Sequence, residues 1–386
     1  LFAALILQVL AFPFTSHGYD LLVAYVAGKN VAEGKSPYDG GIFHNPSYPS
    51  HVQGIGETPI WPLFLGAVHY ASGGDIFVFN IFMKVPVILA NVFLSLLLLK
   101  RGLGNPFFYL TNPLIVAISV LWGKPDSLAT VIALLALFSR VRPAISAILF
   151  SISLNIKPLA LGLVPVVAAS LGPKRGILYL LLTVLLSLSI FLAPFLLMGW
   201  SLDTPLGGAT SWLRQVGGVS PLNILEYFYG WSYGGYRLDT IPLGIVWLIV
   251  FSAASILLLI KAPLHEDRLW SLSLAYSSLF ILGRPHVSEQ NIIMLFVMLH
   301  LATGKPAGRV LWLTLLAYSI LNFSIPQLLY PVWPNVTVDL YNATWLFDGY
   351  RLLARFAAST AFYFYYIREV YGVMRVEANS PRSFSY

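Results

Sequence analysis

The stretch IFVFNIFMKVPVILANVFLSLLLL, residues 76–99, begins just after Asp75 and runs straight into Lys100-Arg101. A helix needs about 20 apolar residues to cross a hydrocarbon core of about 30 Å, and this run is long enough. Its ends differ in chemistry, with a lone carboxylate at one and a basic pair at the other. Stretches of the same kind recur at 177–198, 241–260, 310–329 and 352–370. Shorter apolar runs at 107–122, 127–138, 144–154, 159–171, 269–282 and 292–302 are expected to be helices, some of them incomplete spans. The chain opens inside another apolar run that ends near Phe14, with no basic residue ahead of it. That run reads as a first span cut short, not as a signal peptide.

Composition agrees with these runs. The chain of 386 residues is 58% hydrophobic and 10% charged, with a mean hydropathy of +0.76, whereas a soluble domain carries about 25% charged residues. Basic and polar-aromatic ends alternate along the sequence. If the first run points outward, alternation gathers Lys100, Arg101, Arg140, Arg142, Lys174, Arg175, Lys261, Arg268, Lys305, Arg309, Arg368, Arg375 and Arg382 on the cytoplasmic side. Those are more than half of the 23 basic residues, and only Glu266, Asp267, Glu369 and Glu377 offset them there. The opposite orientation would violate the positive-inside bias. The expected fold is an all-α polytopic membrane protein, a single domain over 1–386 with about twelve transmembrane helices and both termini cytoplasmic. The net charge of +7 then faces anionic membrane lipids, and no nucleic acid is needed to explain it. With no cysteine there is no disulfide framework, thiolate metal site or cysteine nucleophile.

On this topology three external segments, 15–75, 199–240 and 325–350, exceed the usual connection of about 4 to 6 residues. Cytoplasmic turns are short, so function is expected on the outer face. The first segment predicts a helix over 21–33, a break at Gly34, Pro37, Gly40 and Gly41, and an interfacial helix over 60–70. The sequons Asn335-Val336-Thr337 and Asn342-Ala343-Thr344 fall in the last.

Ionisable groups near a membrane are expensive and are functional suspects by default. Asp20, in His17-Gly18-Tyr19-Asp20, follows the first span at the water edge of a low-dielectric wall, where a carboxylate can serve as a general base. It can equally cap the helix that follows. Asp126 and Ser127, in Gly123-Lys124-Pro125-Asp126-Ser127, sit at an outward turn and can also be helix caps. Lys157 interrupts an otherwise apolar stretch; it either meets a phosphate or snorkels to headgroups. Arg284-Pro285-His286-Val287-Ser288-Glu289-Gln290-Asn291 is the densest polar cluster between apolar runs. Arg284 and His286 suit a phosphate, and Glu289 suits a sugar hydroxyl or one of those cations. His44, His51 and His69 lack zinc-ligand spacing, and no phosphate-binding Gly-rich loop occurs.

Taken in order, Asp20, Glu33-Gly34-Lys35-Ser36-Pro37-Tyr38, Glu57-Thr58-Pro59, Asn112-Pro113-Leu114, Gly123 to Ser127 and Asn155-Ile156-Lys157-Pro158 resemble the catalytic subunits of GPI mannosyltransferase I. These belong to the GT-C superfamily of polyprenyl-phosphate-sugar-dependent glycosyltransferases. Beyond Pro158 only the Ser288-Glu289-Gln290 neighbourhood is similar to a late external loop of such enzymes. The family carries Asp-x-Asp in its first external loop, and here Gly18 stands at the first position and Asp20 at the second. The resemblance implies an inverting transfer with Asp20 as the base. The donor is a polyprenyl (dolichyl) phosphate mannose and the acceptor a hydroxyl on a lipid-linked glycan or glycolipid. Lys157, His286 and Arg284 would hold the donor phosphate, and Asp126 and Glu289 would contact sugar or support the cations. It implies no resident cofactor beyond an optional divalent cation, and admits a small membrane partner subunit. The absent cysteines and compact loops point to a prokaryotic cell membrane over an endoplasmic reticulum.

The rival reading is a transporter or flippase for a lipid-linked or anionic solute, which predicts ionisable residues near the bilayer midplane in two paired halves. A third is a non-catalytic relative acting as a membrane scaffold.

Overall fold

A computed structural model describes residues 2–43, 51–100, 110–205, 216–225, 241–260, 268–344 and 348–379. Arg101, Lys261, Glu266, Asp267, Arg382, His44 and much of segment 199–240 lie outside the described residues.

Helices dominate. In chain order they are α1 (Phe2–Ala11), α2 (Gly18–Ala32), α3 (Ile60–Ala71), α4 (Ile76–Lys100), α5 (Pro113–Leu121), α6 (Asp126–Phe138), α7 (Pro143–Ile156), α8 (Val164–Ser170), α9 (Pro173–Met198), α10 (Ile241–Ile260), α11 (Leu269–Leu282), α12 (Ile292–Thr303), α13 (Arg309–Leu321), α14 (Val336–Thr344) and α15 (Asp348–Asn379). Two scraps of sheet accompany them. β1 (Gly41–Ile42) pairs antiparallel with β2 (His51–Val52), and β3 (Gly217–Gly218) lies parallel to β4 (His286–Val287).

The opening stretch forms α4 as expected. Phe79, Met83, Val87, Ala90, Leu94 and Leu98 recur at helical spacing and are buried, while Phe77, Phe82, Leu89, Phe93 and Leu96 on the other side are exposed. A soluble protein does not leave so continuous an apolar surface to water, and α9 and α10 expose still more of it. These faces meet lipid, so the chain is an α-helical, multi-pass membrane protein.

The described residues carry part of the expected set of spans. Among the described residues three helices are long and apolar enough to cross, 76–100, 173–198 and 242–260, or four if α5 and α6 count as one broken span bent by 102°. Shorter apolar helices at Ile60–Ala71, Pro143–Leu154, Leu269–Leu282, Glu289–Thr303 and Arg309–Leu321 accompany them. The expected span at 310–329 ends at Leu321. Phe323 takes a left-handed backbone (φ 63°), Arg351 donates to the Leu321 carbonyl at 2.9 Å, and its guanidinium lies 4.5 Å from the Phe323 ring centre. A bulky residue with positive φ stops a helix, and the arginine holds the stop in place. The run at 352–370 lies within the unbroken 32-residue α15, but Arg355, Arg368 and Glu369 keep it outside the apolar class. The run at 159–171 is split into a 3₁₀ turn (Pro158–Gly162) and α8.

Two cores hold these pieces. In the larger, α12 is buried on every side, from Ile292 to Leu301, as a helix apolar all round must be. The smaller packs α2 and α3 against the start of α4 through Leu22, Trp61, Leu65, Phe79 and Met83. Gly28 lets α2 approach so closely that a Cβ there would sit 2.6 Å from the Leu65 carbonyl oxygen. Both helices expected in segment 15–75 are therefore present, and they brace one wall of a cleft.

Candidate functional site

The cleft lies where the first turn of α2, the chain entering α3 and the bend between α5 and α6 meet. Helix α2 begins at Gly18, three residues earlier than expected, and its cap is His17, whose Nδ1 accepts from the Asp20 backbone N–H at 3.4 Å. Asp20 is therefore not the cap. It stands in the first turn, where the helix dipole favours a negative charge.

Asp20 Oδ2 receives the indole N–H of Trp122 at 2.8 Å and lies 3.0 Å from the Lys124 ammonium. Lys124 also reaches Glu57 Oε1 at 3.3 Å, so one cation bridges two carboxylates far apart in sequence. The His17 ring stacks on Trp122 with centroids 4.5 Å apart and planes 8° from parallel. Gly123 makes the sharp bend possible with a left-handed backbone (φ 84°). Ile55, Trp61 and Met83 complete the lining, and the cleft encloses about 310 Å³ including its open mouth.

Electrostatics follow from this packing. Burial pushes the Asp20 carboxyl upward, but Lys124, His17 and the Trp122 N–H outweigh it and hold it below the usual carboxylate range. Burial acts against the Lys124 ammonium too, and the charges of Asp20 and Glu57 more than reverse that, so it stays protonated. For His17 burial wins, taking it from 6.5 to about 4 and leaving the imidazole neutral at pH 7. The Asp20 side chain is 26% exposed, so an ionised carboxylate is reachable from the cleft.

The other sequence candidates form a second, buried network. Asp126 is fully buried, and its Oδ2 takes the Lys157 ammonium at 2.6 Å. Its Oδ1 accepts from Asn291 at 3.0 Å. Lys157 donates to Gln290 at 3.1 Å, and Arg284 donates to Asn291 at 2.6 Å while lying over the Phe280 ring. Neither simple alternative for these residues holds. Pro125, not Asp126, occupies the cap position of α6, and Lys157 points inward instead of snorkelling. A charge with no access to water must find a partner, and these two found each other. Glu289, nine-tenths buried, accepts from Ser324. His286 is half-buried, 3.4 Å from Ser288 Oγ, and burial, aided by Arg284, lowers it to about 4.

The structure thus joins Asp126, Lys157 and Arg284 and sets Asp20 apart in the open cleft. Sequence reasoning passed over Lys124, Glu57 and Trp122 as site residues. The available signal was a lysine pinned between Gly123 and Pro125, where no helix can absorb it. The residues do not fit a divalent cation: among the described residues no three His, Asp or Glu side chains converge, and Lys124 already stands between Asp20 and Glu57. No protein-family model matches the chain, and no curated protein shows significant similarity to it.

Proposed function

We propose that the chain is a GT-C-like glycosyltransferase. It moves a hexose, mannose by the resemblance, from a polyprenyl phosphate to a hydroxyl of a lipid-linked glycan or glycolipid, with inversion at the anomeric carbon. The observation that carries this reading is Asp20, an ionised and reachable carboxylate sharing an aromatic-walled cleft with an ammonium. The positive-inside bias of the basic edges supports an extracytoplasmic cleft.

In this mechanism Asp20 takes the proton of the acceptor hydroxyl, whose oxygen forms a bond to C1. The bond from C1 to the phosphate oxygen breaks, and the phosphate leaves with the electron pair. A cation beside the departing charge stabilises it where water is sparse. Lys124 supplies that cation better than Lys157, because Lys124 lines the cleft beside Asp20 whereas Lys157 is held in the buried network by Asp126 and Gln290. As Lys124 turns to the phosphate, Asp20 loses its strongest counter-charge and becomes more basic when a proton must be taken. Edges of Trp61 and Trp122, both largely buried, contribute apolar lining beside the polar groups. Arg284 and His286, both partly exposed, remain secondary phosphate candidates, while Asp126 and Glu289 frame the wall behind them.

The transporter reading draws on one observation, a buried lysine inside a membrane-spanning helix, Lys84 of α4. That ammonium is bonded to the backbone carbonyls of Phe12 and Thr15, which leaves it poorly placed to meet a moving solute.

The test is transfer of labelled mannose from a synthetic short-chain polyprenyl phosphate mannose to a membrane lipid extract by the purified protein. Labelled glycolipid that requires both donor and protein supports the reading. Carrier movement across proteoliposomes without any product would replace it with transport.

A further inference from the structure

Lys84 lies on the buried face of α4 and is completely shielded from solvent. Its ammonium donates to the carbonyl of Phe12 at 2.9 Å and to that of Thr15. One turn earlier on the same face, Asn80 donates to the carbonyls of Pro13 and Thr15, both at 3.2 Å. These acceptors are carbonyls of the 3₁₀ turn Phe12–Phe14 that follows α1 and of its C-cap Thr15, where helical bonding ends. Inside a membrane such carbonyls find no water, and a cation at a helix C-terminus answers both their lone pairs and the dipole. Two residues past Thr15 the chain reaches His17, and three further on, Asp20.

The stem of the same lysine supports the opposite wall of the cleft. A Cβ on Gly123 would meet Lys84 Cγ at 2.9 Å and Cε at 3.3 Å, and Met83 Cε at 3.0 Å. The turn carrying Trp122 and Lys124 therefore rests directly on the Lys84 methylenes. One side chain touches both segments that build the cleft, the chain leading to Asp20 through its head and the bend before Lys124 through its stem.

We propose that Lys84 is a positioning residue that sets the separation of Asp20 from the Trp122–Lys124 turn. The inference rests on this cleft being the functional site proposed above, although its readout needs no transfer assay. His17, which faces Asp20, Lys124 and Trp122, reports the geometry because its ring, on the segment held by the Lys84 head, stacks on Trp122, on the turn resting against the Lys84 stem. A protonated imidazole quenches an indole it stacks on.

The experiment titrates the tryptophan emission of the purified protein with pH, subtracting a Trp122→Phe version of each variant so that only Trp122 is read. The parent is expected to show a midpoint at about 4, the depressed value of the buried histidine. Lys84→Met, which keeps the stem and removes the donors, is expected to move the midpoint toward the ordinary 6.5 or to abolish the quench as the stack opens. Lys84→Arg, which restores donors, is expected to keep it near the parent's. A Lys84→Met protein that titrates like the parent overturns the proposal. Should Lys84→Met fail to fold, Asn80→Ala decides, since it removes two bonds to the same segment: a displaced midpoint supports the proposal and an unchanged one overturns it. A displaced midpoint in Lys84→Met, with a parent that transfers no sugar, would sink the glycosyltransferase reading and leave Lys84's role standing. An undisplaced midpoint in an active enzyme would do the reverse.

Discussion

At the scale of single residues, His17 links sequence, packing and pH response. Its imidazole is buried neutral against Trp122, with a folded value of about 4 against 6.5 in the unfolded chain. Between those values the unfolded chain binds a proton that the folded one refuses. The stabilisation is therefore complete above about 6.5 and is lost as pH falls toward 4, up to about 3 kcal/mol. His17→Phe keeps a ring against Trp122 but cannot titrate. Its melting temperature is expected to decline less than the parent's across that window, as differential scanning fluorimetry would measure; parallel declines would remove the buried-neutral histidine from the account. Asp20 itself was legible in the sequence, because a carboxylate just after a span is conspicuous. Lys124 and Glu57 were not, because their meaning comes from Lys124 meeting Asp20 across 104 positions of chain and Glu57 across 67, which one sequence cannot display.

At the scale of elements, the buried network acts as a joint. Asp126 opens α6, Lys157 closes α7, and Arg284, Gln290 and Asn291 come from the connection between α11 and α12. Removing one partner of a buried pair leaves an uncompensated charge and costs about 3–5 kcal/mol. Asp126→Asn, which keeps the shape and loses the charge, is expected to lower stability by that order in chemical denaturation, while the exposed pair Lys35–Glu33 can be broken at little cost. Stability unchanged in Asp126→Asn would mean that Lys157 is free to serve elsewhere, as the resemblance implies. Hydropathy located these elements well and their ends poorly. It finds apolar runs but does not sense where the backbone turns, so it joined 310–329 across Phe323 and could not foresee the 102° bend at Gly123. The helices at Gly18–Ala32 and Ile60–Ala71 were readable because Gly and Pro mark their borders.

At the scale of the whole molecule, a lipid-facing helical bundle carries a polar cleft at the entry to α2. The absence of cysteine makes its topology directly measurable. Lys35 and Lys174 are both exposed, and the charge rule predicts opposite sides for them. In intact cells an impermeant maleimide is expected to label Lys35→Cys and to spare Lys174→Cys until lysis. The reverse pattern would turn the cleft toward the cytoplasm and remove the extracytoplasmic reading. The most direct measurement compares sugar transfer from polyprenyl phosphate mannose by the parent and by Asp20→Asn, with both shown to be folded. Loss of the general base is expected to lower the rate by about 10²–10⁴-fold while the cleft still forms. Equal transfer by the two proteins would contradict the placement of the chemistry at Asp20.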